Sequence, residues 1–347
     1  MDLREVEEKI NQKMGELPHP KFRKTLGELG VYGSLEQEGD LFRLFVKVPD
    51  EDRKVHIELE TKVRGEIRDL IPGKLKIKFE YDPELQPEDP RKRIDNVKYI
   101  IAVGSGKGGV GKSTVSTNLA ATLSKRGLKV GLLDGDIYGP SLGGMLGREG
   151  RQPLRGDGQE RIFPEEIHGL KIISFSFLLD DEQAVLWRGP MLGRALEQLL
   201  YEIHWGSLDF LIIDLPPGTG DVQLSLSQLV DLDGSIIVTT PQKVSLYDAT
   251  RALSMFREVK IPVLGIIENM SEFICPGCGE ATHIFSQDGG KNFAEKYKIP
   301  HLGGLPLKKE IMQSGEEGTP YVLAHKDDQV VEAYEQIADK LLKQLEQ

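Results

Sequence analysis

One stretch limits the possible folds more than any other. Tyr99–Val103 is an apolar run that leads straight into Gly104-Ser-Gly-Lys-Gly-Gly-Val-Gly-Lys-Ser-Thr114, and a helical pattern follows from Lys112. Gly106, Gly111, Lys112 and Ser113 satisfy GxxxxGK[ST] between a buried strand and a helix N-terminus, where a phosphate-cradling loop has to sit. Glycines let successive backbone N–H groups turn inward onto an anion, and the helix N-terminus adds partial positive charge. The residues expected to line the phosphates are Gly106, Lys107, Gly108, Gly109, Val110, Gly111, Lys112, Ser113 and Thr114. Lys112 is expected to neutralise the β- and γ-phosphates of ATP, Ser113 to ligate Mg²⁺, and Thr114 to reach the α-phosphate. A flexible Gly-rich turn is the competing reading, and the flanking strand and helix weigh against it.

Lys107 stands inside the loop, where it cannot easily fold back onto its own nucleotide. It can reach a partner's phosphates across a dimer interface, as an arginine finger does in trans. Two strand ends carry carboxylates. Asp134 and Asp136 follow Val130–Leu133, and Asp214 ends Phe210–Ile213 ahead of Pro216-Pro-Gly-Thr-Gly-Asp221. Ligands of open α/β sheets bind beyond the carboxyl ends of strands, so these aspartates are expected to converge on the loop. Asp214 fits the Mg²⁺-water ligand, Asp136 the group that orients the attacking water, and Asp134 a support for the loop. Helix capping or turn formation is the alternative for each.

Further near-continuous apolar runs occur at Ile236–Thr240 and Val263–Glu268, as in parallel strands buried on both faces. Helical patterns fall between the runs, at Lys112–Arg126, Met191–Ile203 and Ser245–Val259, and Gln329–Leu345 reads as an amphipathic covering helix. The order predicts an α/β unit: a mostly parallel sheet with helices on both faces over 98–347. Residues 1–82 read as a small α+β domain. Val6, Ile10 and Met14 lie at helical spacing, and Leu41–Val48, Val55–Leu59 and Lys74–Phe79 alternate like strands. Residues 83–97, rich in proline and charge, read as a linker.

The 347 residues carry a formal charge of -11, which argues against broad nucleic-acid binding. The N-terminus has no apolar core of a signal peptide, and no run is long enough to span a membrane, so a cytoplasmic protein with no membrane attachment is expected. The two cysteines, Cys275 and Cys278, sit in Cys-Pro-Gly-Cys-Gly. That knuckle brings two thiolates onto one metal or cluster, whereas a closed site wants four ligands. Two pairs on the twofold axis of a homodimer supply them, with His283 as a possible extra ligand. Spacing alone leans slightly to zinc over a cluster, and a redox pair is a third reading.

Several segments taken together resemble the Mrp/ApbC family of iron–sulfur cluster carrier ATPases. They are GKGGVGKST, Asp134–Ser141 (DGDIYGPS), Trp187–Met191 (WRGPM), Asp214–Asp221 (DLPPGTGD), Glu268–Ser271 (ENMS) and Cys275–Gly279 (CPGCG). The resemblance runs from about Lys98 to the end. It implies that Lys107 is the signature lysine acting in trans, that Asn269 contacts adenine, and that Cys275 and Cys278 hold a [4Fe–4S] cluster between two subunits. It further implies slow ATP hydrolysis and delivery of the cluster to apo iron–sulfur proteins, and it tilts zinc versus cluster towards the cluster. The first unit resembles the MIP18-type domain often fused ahead of these ATPases, without the cysteine that many carry near 48–53. A Min- or ParA-type positioning ATPase and a zinc-bridged nucleotide-binding scaffold are the alternatives. The acidic-to-neutral tail Asp327–Gln347 disfavours the membrane-bound form of the former.

Overall fold

The computed structural model describes all residues except 1–2, 21–23, 86–90, 92, 138, 149, 151–154, 157–161, 178–188 and 347. It divides into two compact units, Met1–Asp89 and Pro90–Gln347.

The first unit runs α1 (Leu3–Gly15), β1 (Gly33–Glu38), β2 (Leu41–Val48), α2 (Arg53–Ile67) and β3 (Lys74–Tyr81). Val6, Ile10 and Met14 are the buried residues of α1. β1 and β2 form an antiparallel hairpin, and β3 joins β2 in parallel, so β2 is central. Gly39, at φ +61, makes the two-residue turn of the hairpin. One expectation is overturned here: Val55–Leu59 is part of α2, not a strand. The two-residue alternation in VHIEL is short, whereas Leu59, Val63 and Ile67 recur every four residues and are all buried. The Asp52 carboxylate accepts from the Lys54 N–H and starts the helix at 2.9 Å.

In the second unit the elements are β4 (Val97–Gly104), α3 (Lys112–Lys125), β5 (Val130–Asp134), α4 (Leu142–Met145), a small β6–β7 ladder (Arg155–Gly156, Ile162–Phe163), β8 (Glu165–Ile167) and β9 (Leu170–Ile173). Then come α5 (Gly189–Tyr201), β10 (Leu208–Asp214), α6 (Asp221–Leu229), β11 (Gly234–Thr239), α7 (Lys243–Glu258), β12 (Val263–Ile274) and β13 (Ala281–Thr282). The chain closes with α8 (Gly289–Tyr297), β14 (His301–Leu307), α9 (Lys309–Glu316), α10 (Tyr321–Ala324) and α11 (Gln329–Leu345). Ile94 is buried in the core of this unit and Arg93 grips Asp233 at 2.9 and 3.0 Å, so the unit reaches back beyond Lys98.

The sheet order is β13-β12-β11-β4-β10-β5-β9-β8, with β14 also on β12. All pairings from β12 to β9 are parallel, as is β14 on β12; only β13 and β8 run antiparallel. The architecture is therefore the mostly parallel α/β sheet expected, with apolar cores on both faces. α3 and α11 cover one face; α11 buries Val330, Tyr334, Ile337 and Leu341. The other face is covered by α5, α6 and α7. β4 is central between β10 and β11; the chain runs from β4 past β10 to β5 on one side, and later from β10 across β4 to β11 on the other. A crevice opens at such a switch point beyond the strand ends. β9 and β14 carry no clear pattern in sequence: the first has four residues, and the second, HLGGLPL, contains two glycines and a proline.

Candidate nucleotide site and cysteine knuckle

The loop from Ser105 to Gly111 joins β4 to α3 at the switch point. Its glycines are required by different neighbours. A Cβ on Gly106 would lie 2.1 Å from the backbone carbonyl of Asp248 on α7. Gly109 and Gly111 both have φ +79, in the left-handed region. A Cβ on Gly111 would also strike the Asn269 side-chain amide. Val110 is buried and pins the loop to the core below. Ser105 Oγ donates to the Lys107 carbonyl at 2.9 Å, and the Ser105 carbonyl accepts from Gly218 N–H at 2.9 Å. That second bond ties the loop to the Pro216–Asp221 segment, which Gln223 braces by donating to the carbonyls of Pro216 and Pro217.

Register places the carboxylates. Asp214 on β10 is level with Asp134 on β5 and with Val103 on β4. Lys112 and Ser113, in the first turn of α3, reach it from above. Lys112 Nζ and Ser113 Oγ each lie 2.6 Å from Asp214 Oδ2, and Ser116 Oγ donates to Oδ1 at 2.6 Å. Asp214 is fully buried and Lys112 nearly so, with side-chain exposures of 0% and 6%. Of the sequence-derived candidates, then, Lys112, Ser113 and Asp214 form one cluster. Ser116 was not among them; its sole signal is its place one turn after Lys112, on the same side of the helix.

Asp134 has another role. Its carboxylate accepts from Ser174 Oγ, the Leu142 N–H and the Asp136 N–H at 2.9, 3.2 and 3.1 Å. Complete burial, aided by the nearby Asp214 charge, pushes its pKa up to about 7. It therefore organises the chain leaving β5. Asp136 is half-buried on that chain and accepts from Gly139 N–H at 3.2 Å, a turn-forming contact. Tyr138 lies outside the described residues, as do Trp187 and Arg188 of the WRGPM segment. Lys107 is half-buried at the loop and makes no ion pair with any described residue.

Asn269, on β12, donates its amide to the Val110 carbonyl at 2.9 Å. The next residue, Met270, has φ +58, an uncommon conformation for a side-chain-bearing residue, and the pairing of β12 with β14 shifts register there. The strand continues to the cysteine knuckle. Cys275 N–H donates to the Glu280 carbonyl at 3.0 Å and Gly279 N–H to the Cys275 carbonyl at 2.8 Å, with Gly279 at φ +75. The N–H groups of Cys278 and Gly277 hold the Cys275 thiol below its ordinary pKa. Cys275 is half-buried and Cys278 exposed, and neither forms a disulfide. Among the described residues no set of three or more His, Cys, Asp or Glu side chains is gathered for a metal. His283, whose Nδ1 is 3.1 Å from the Ser271 carbonyl, is thus not brought to the thiols as a third ligand within one chain.

The family model described as ParA: NUBPL iron-transfer P-loop NTPase matches residues 96–342. The chain is 51% identical over 261 residues to the iron–sulfur cluster carrier protein of Aquifex aeolicus, covering 75% of this chain and 71% of that one. It is 41% identical over 326 residues to that of Deinococcus radiodurans, covering 94% and 92%. Among solved structures it resembles a nucleotide-binding protein from Archaeoglobus fulgidus in complex with ADP. The TM-score is 0.58 at 38% identity, over 67% of this chain and 90% of that one. No helix among the described residues is long and apolar enough to cross a membrane. The chain belongs to the iron–sulfur cluster carrier family of P-loop NTPases.

Proposed function

We propose that the protein is an ATP-dependent carrier that holds a [4Fe–4S] cluster between two copies of itself and passes it to apo iron–sulfur proteins, turning over ATP slowly. One observation carries this reading: a single strand, β12, joins the loop-contacting Asn269 to the Cys275–Cys278 knuckle. A change at the nucleotide loop has a route to the cargo site through one hydrogen bond and then along the strand.

ATP would be bound by the N–H groups of Gly106–Ser113, with Lys112 leaving Asp214 for the β- and γ-phosphates. Ser113 and Asp214 offer the hydroxyl and carboxylate that suit Mg²⁺, which supplies charge neutralisation when bound. Thr114 faces the α-phosphate and Asn269 the adenine. Asp136 orients the attacking water, and Asp134 keeps its chain in place. Lys107 serves the partner's nucleotide across the dimer. The half-exposed knuckle supplies two thiolates, and two copies supply the four that a closed cluster needs. The first unit, as a MIP18-type domain, positions partners; its lack of cysteine removes it from cluster binding.

The test is purification without oxygen followed by absorption spectroscopy, metal analysis and transfer to apo-ferredoxin or apo-aconitase. The expected result is a broad iron–sulfur absorption at four irons per dimer and activation of the acceptor. Zinc at one per dimer, with no transferable iron, would establish the zinc-bridged scaffold instead.

A further inference from the structure

Strand β3 is an open edge. Among the described residues it pairs with β2 alone, in parallel. Lys74 N–H donates to the Asp40 carbonyl and Asp82 N–H to the Val48 carbonyl, both at 2.9 Å, so the even-numbered residues of β3 face β2. The odd-numbered residues turn their backbone groups to the free side, and Arg64 Nη1 accordingly donates to the Leu75 carbonyl at 3.0 Å. The backbone groups of Ile77 and Phe79 are left without a partner among the described residues.

At the Leu75 end of this edge opens a groove of ~650 Å³. Besides Leu75 and Gly73 it is lined by Ile57, Thr61 and Arg64 of α2 and by Arg68, just past the helix. Ile57 in that lining is 60% exposed. The outer face of β3 carries Lys74, Lys76 and Lys78, all exposed. Lys78 is satisfied by Glu80 and Arg64 by Glu60, each at 2.7 Å. Lys74, Lys76 and Arg68 make no ion pair with any described residue.

We infer that this edge accepts an extended segment of an acceptor protein as an added strand, with apolar residues alternating with acidic ones. Backbone groups of Ile77 and Phe79 would pair with it, the apolar side chains would cover Ile57 and Leu75, and the acidic ones would meet Lys74 and Lys76. Charge selects this occupant. Lys74 and Lys76 lie exposed on the outer face with no ion pair to a described residue, so acidic side chains on that face complete them, whereas a second copy of β3 laid parallel along the same edge would set lysine against lysine. Assigning the segment to an acceptor rests on the carrier reading; the strand addition does not.

The test uses the full chain without nucleotide or cluster, so its result is separate from that of the transfer assay. A labelled peptide of about six residues alternating Val and Glu is titrated by fluorescence anisotropy against its Val and Lys counterpart. Wild type is expected to bind the Val/Glu peptide at least ~10-fold more tightly, as removal of favourable and addition of unfavourable charge pairs implies. Lys74→Glu with Lys76→Glu, on an exposed face that the fold does not use, is expected to reverse the preference. Hydrogen exchange is expected to slow at the Ile77 and Phe79 amides on peptide binding. Equal affinity for the two peptides, or protection that misses those amides, overturns the inference. Concentration-dependent protection of the same amides without peptide also overturns it and gives the edge to a second copy.

Discussion

Lys112 Nζ lies 2.6 Å from Asp214 Oδ2, with both groups out of water. The lysine proposed to meet phosphate thus lies against the carboxylate proposed to meet Mg²⁺. Each compensates the other's buried charge.

Removing one member should therefore be costly. Lys112→Met is expected to lower the unfolding free energy of the nucleotide-free protein by ~3–5 kcal/mol, since Asp214 stays buried and uncompensated. Adding Asp214→Leu should restore a large part of that loss, while neither variant hydrolyses ATP. Urea unfolding of the two variants checks it; equal loss in both would show that the pair is not coupled.

Asp134 predicts a pH dependence. Its folded-state pKa, about 7, stands above the ordinary 3.8, so between these values the native state holds a proton that the unfolded state releases. Its contribution to stability is full below pH ~4 and lost as pH rises to ~7, by up to ~4 kcal/mol. Asp134→Asn abolishes that slope, whatever its uniform effect on stability through the altered hydrogen bonds to Leu142, Asp136 and Ser174. Denaturant midpoints of both proteins from pH 4.5 to 8 are the measurement.

Gly106→Ala should displace the loop, because its Cβ has no space against the Asp248 carbonyl. An anion cradle depends on the direction of its N–H groups, so a loss of ADP affinity of at least ~10-fold is expected with the fold retained. Calorimetric titration with ADP gives the answer, and circular dichroism verifies the fold.

Lys107→Ala separates the two lysines. Lys107 makes no ion pair with the described residues of its own chain. ADP affinity of the variant is expected to stay within ~3-fold of wild type, while ATP-induced dimerisation, followed by sedimentation, is lost. A large fall in ADP affinity instead would make Lys107 a cis ligand.

Cys275→Ser is expected to abolish iron retention and to leave ADP affinity unchanged, because the knuckle is held by its own turn, through Glu280 and Gly279. Iron content after anaerobic reconstitution, set beside the ADP titration, separates cargo from nucleotide.

Much of this protein was legible without coordinates. The glycine spacing, Lys112 and Ser113 announced a phosphate loop because its chemistry needs contiguous backbone and a helix start. The strands β4, β5, β10, β11 and β12 were visible because burial on both faces demands unbroken apolar runs. Short-range patterns misled where two periods overlap: VHIEL alternates, and only the longer spacing to Val63 and Ile67 makes it helix. The knuckle was plain as a cysteine pair, and that no third His, Cys, Asp or Glu gathers with it among the described residues followed only from its geometry.

What tertiary structure alone decided are contacts between residues far apart in the chain. Ser116 joins the Asp214 cluster because α3 crosses β10, and Ser174 supports Asp134 because β9 lies against β5. Asn269 meets Val110 across 159 positions, and β3 is an edge strand because it takes the side of β2 that β1 leaves and no further described strand pairs with it. Local sequence fixes dihedral preference and which face is apolar; strand order and register determine which polar groups share a buried site, and those arise only when the whole chain packs.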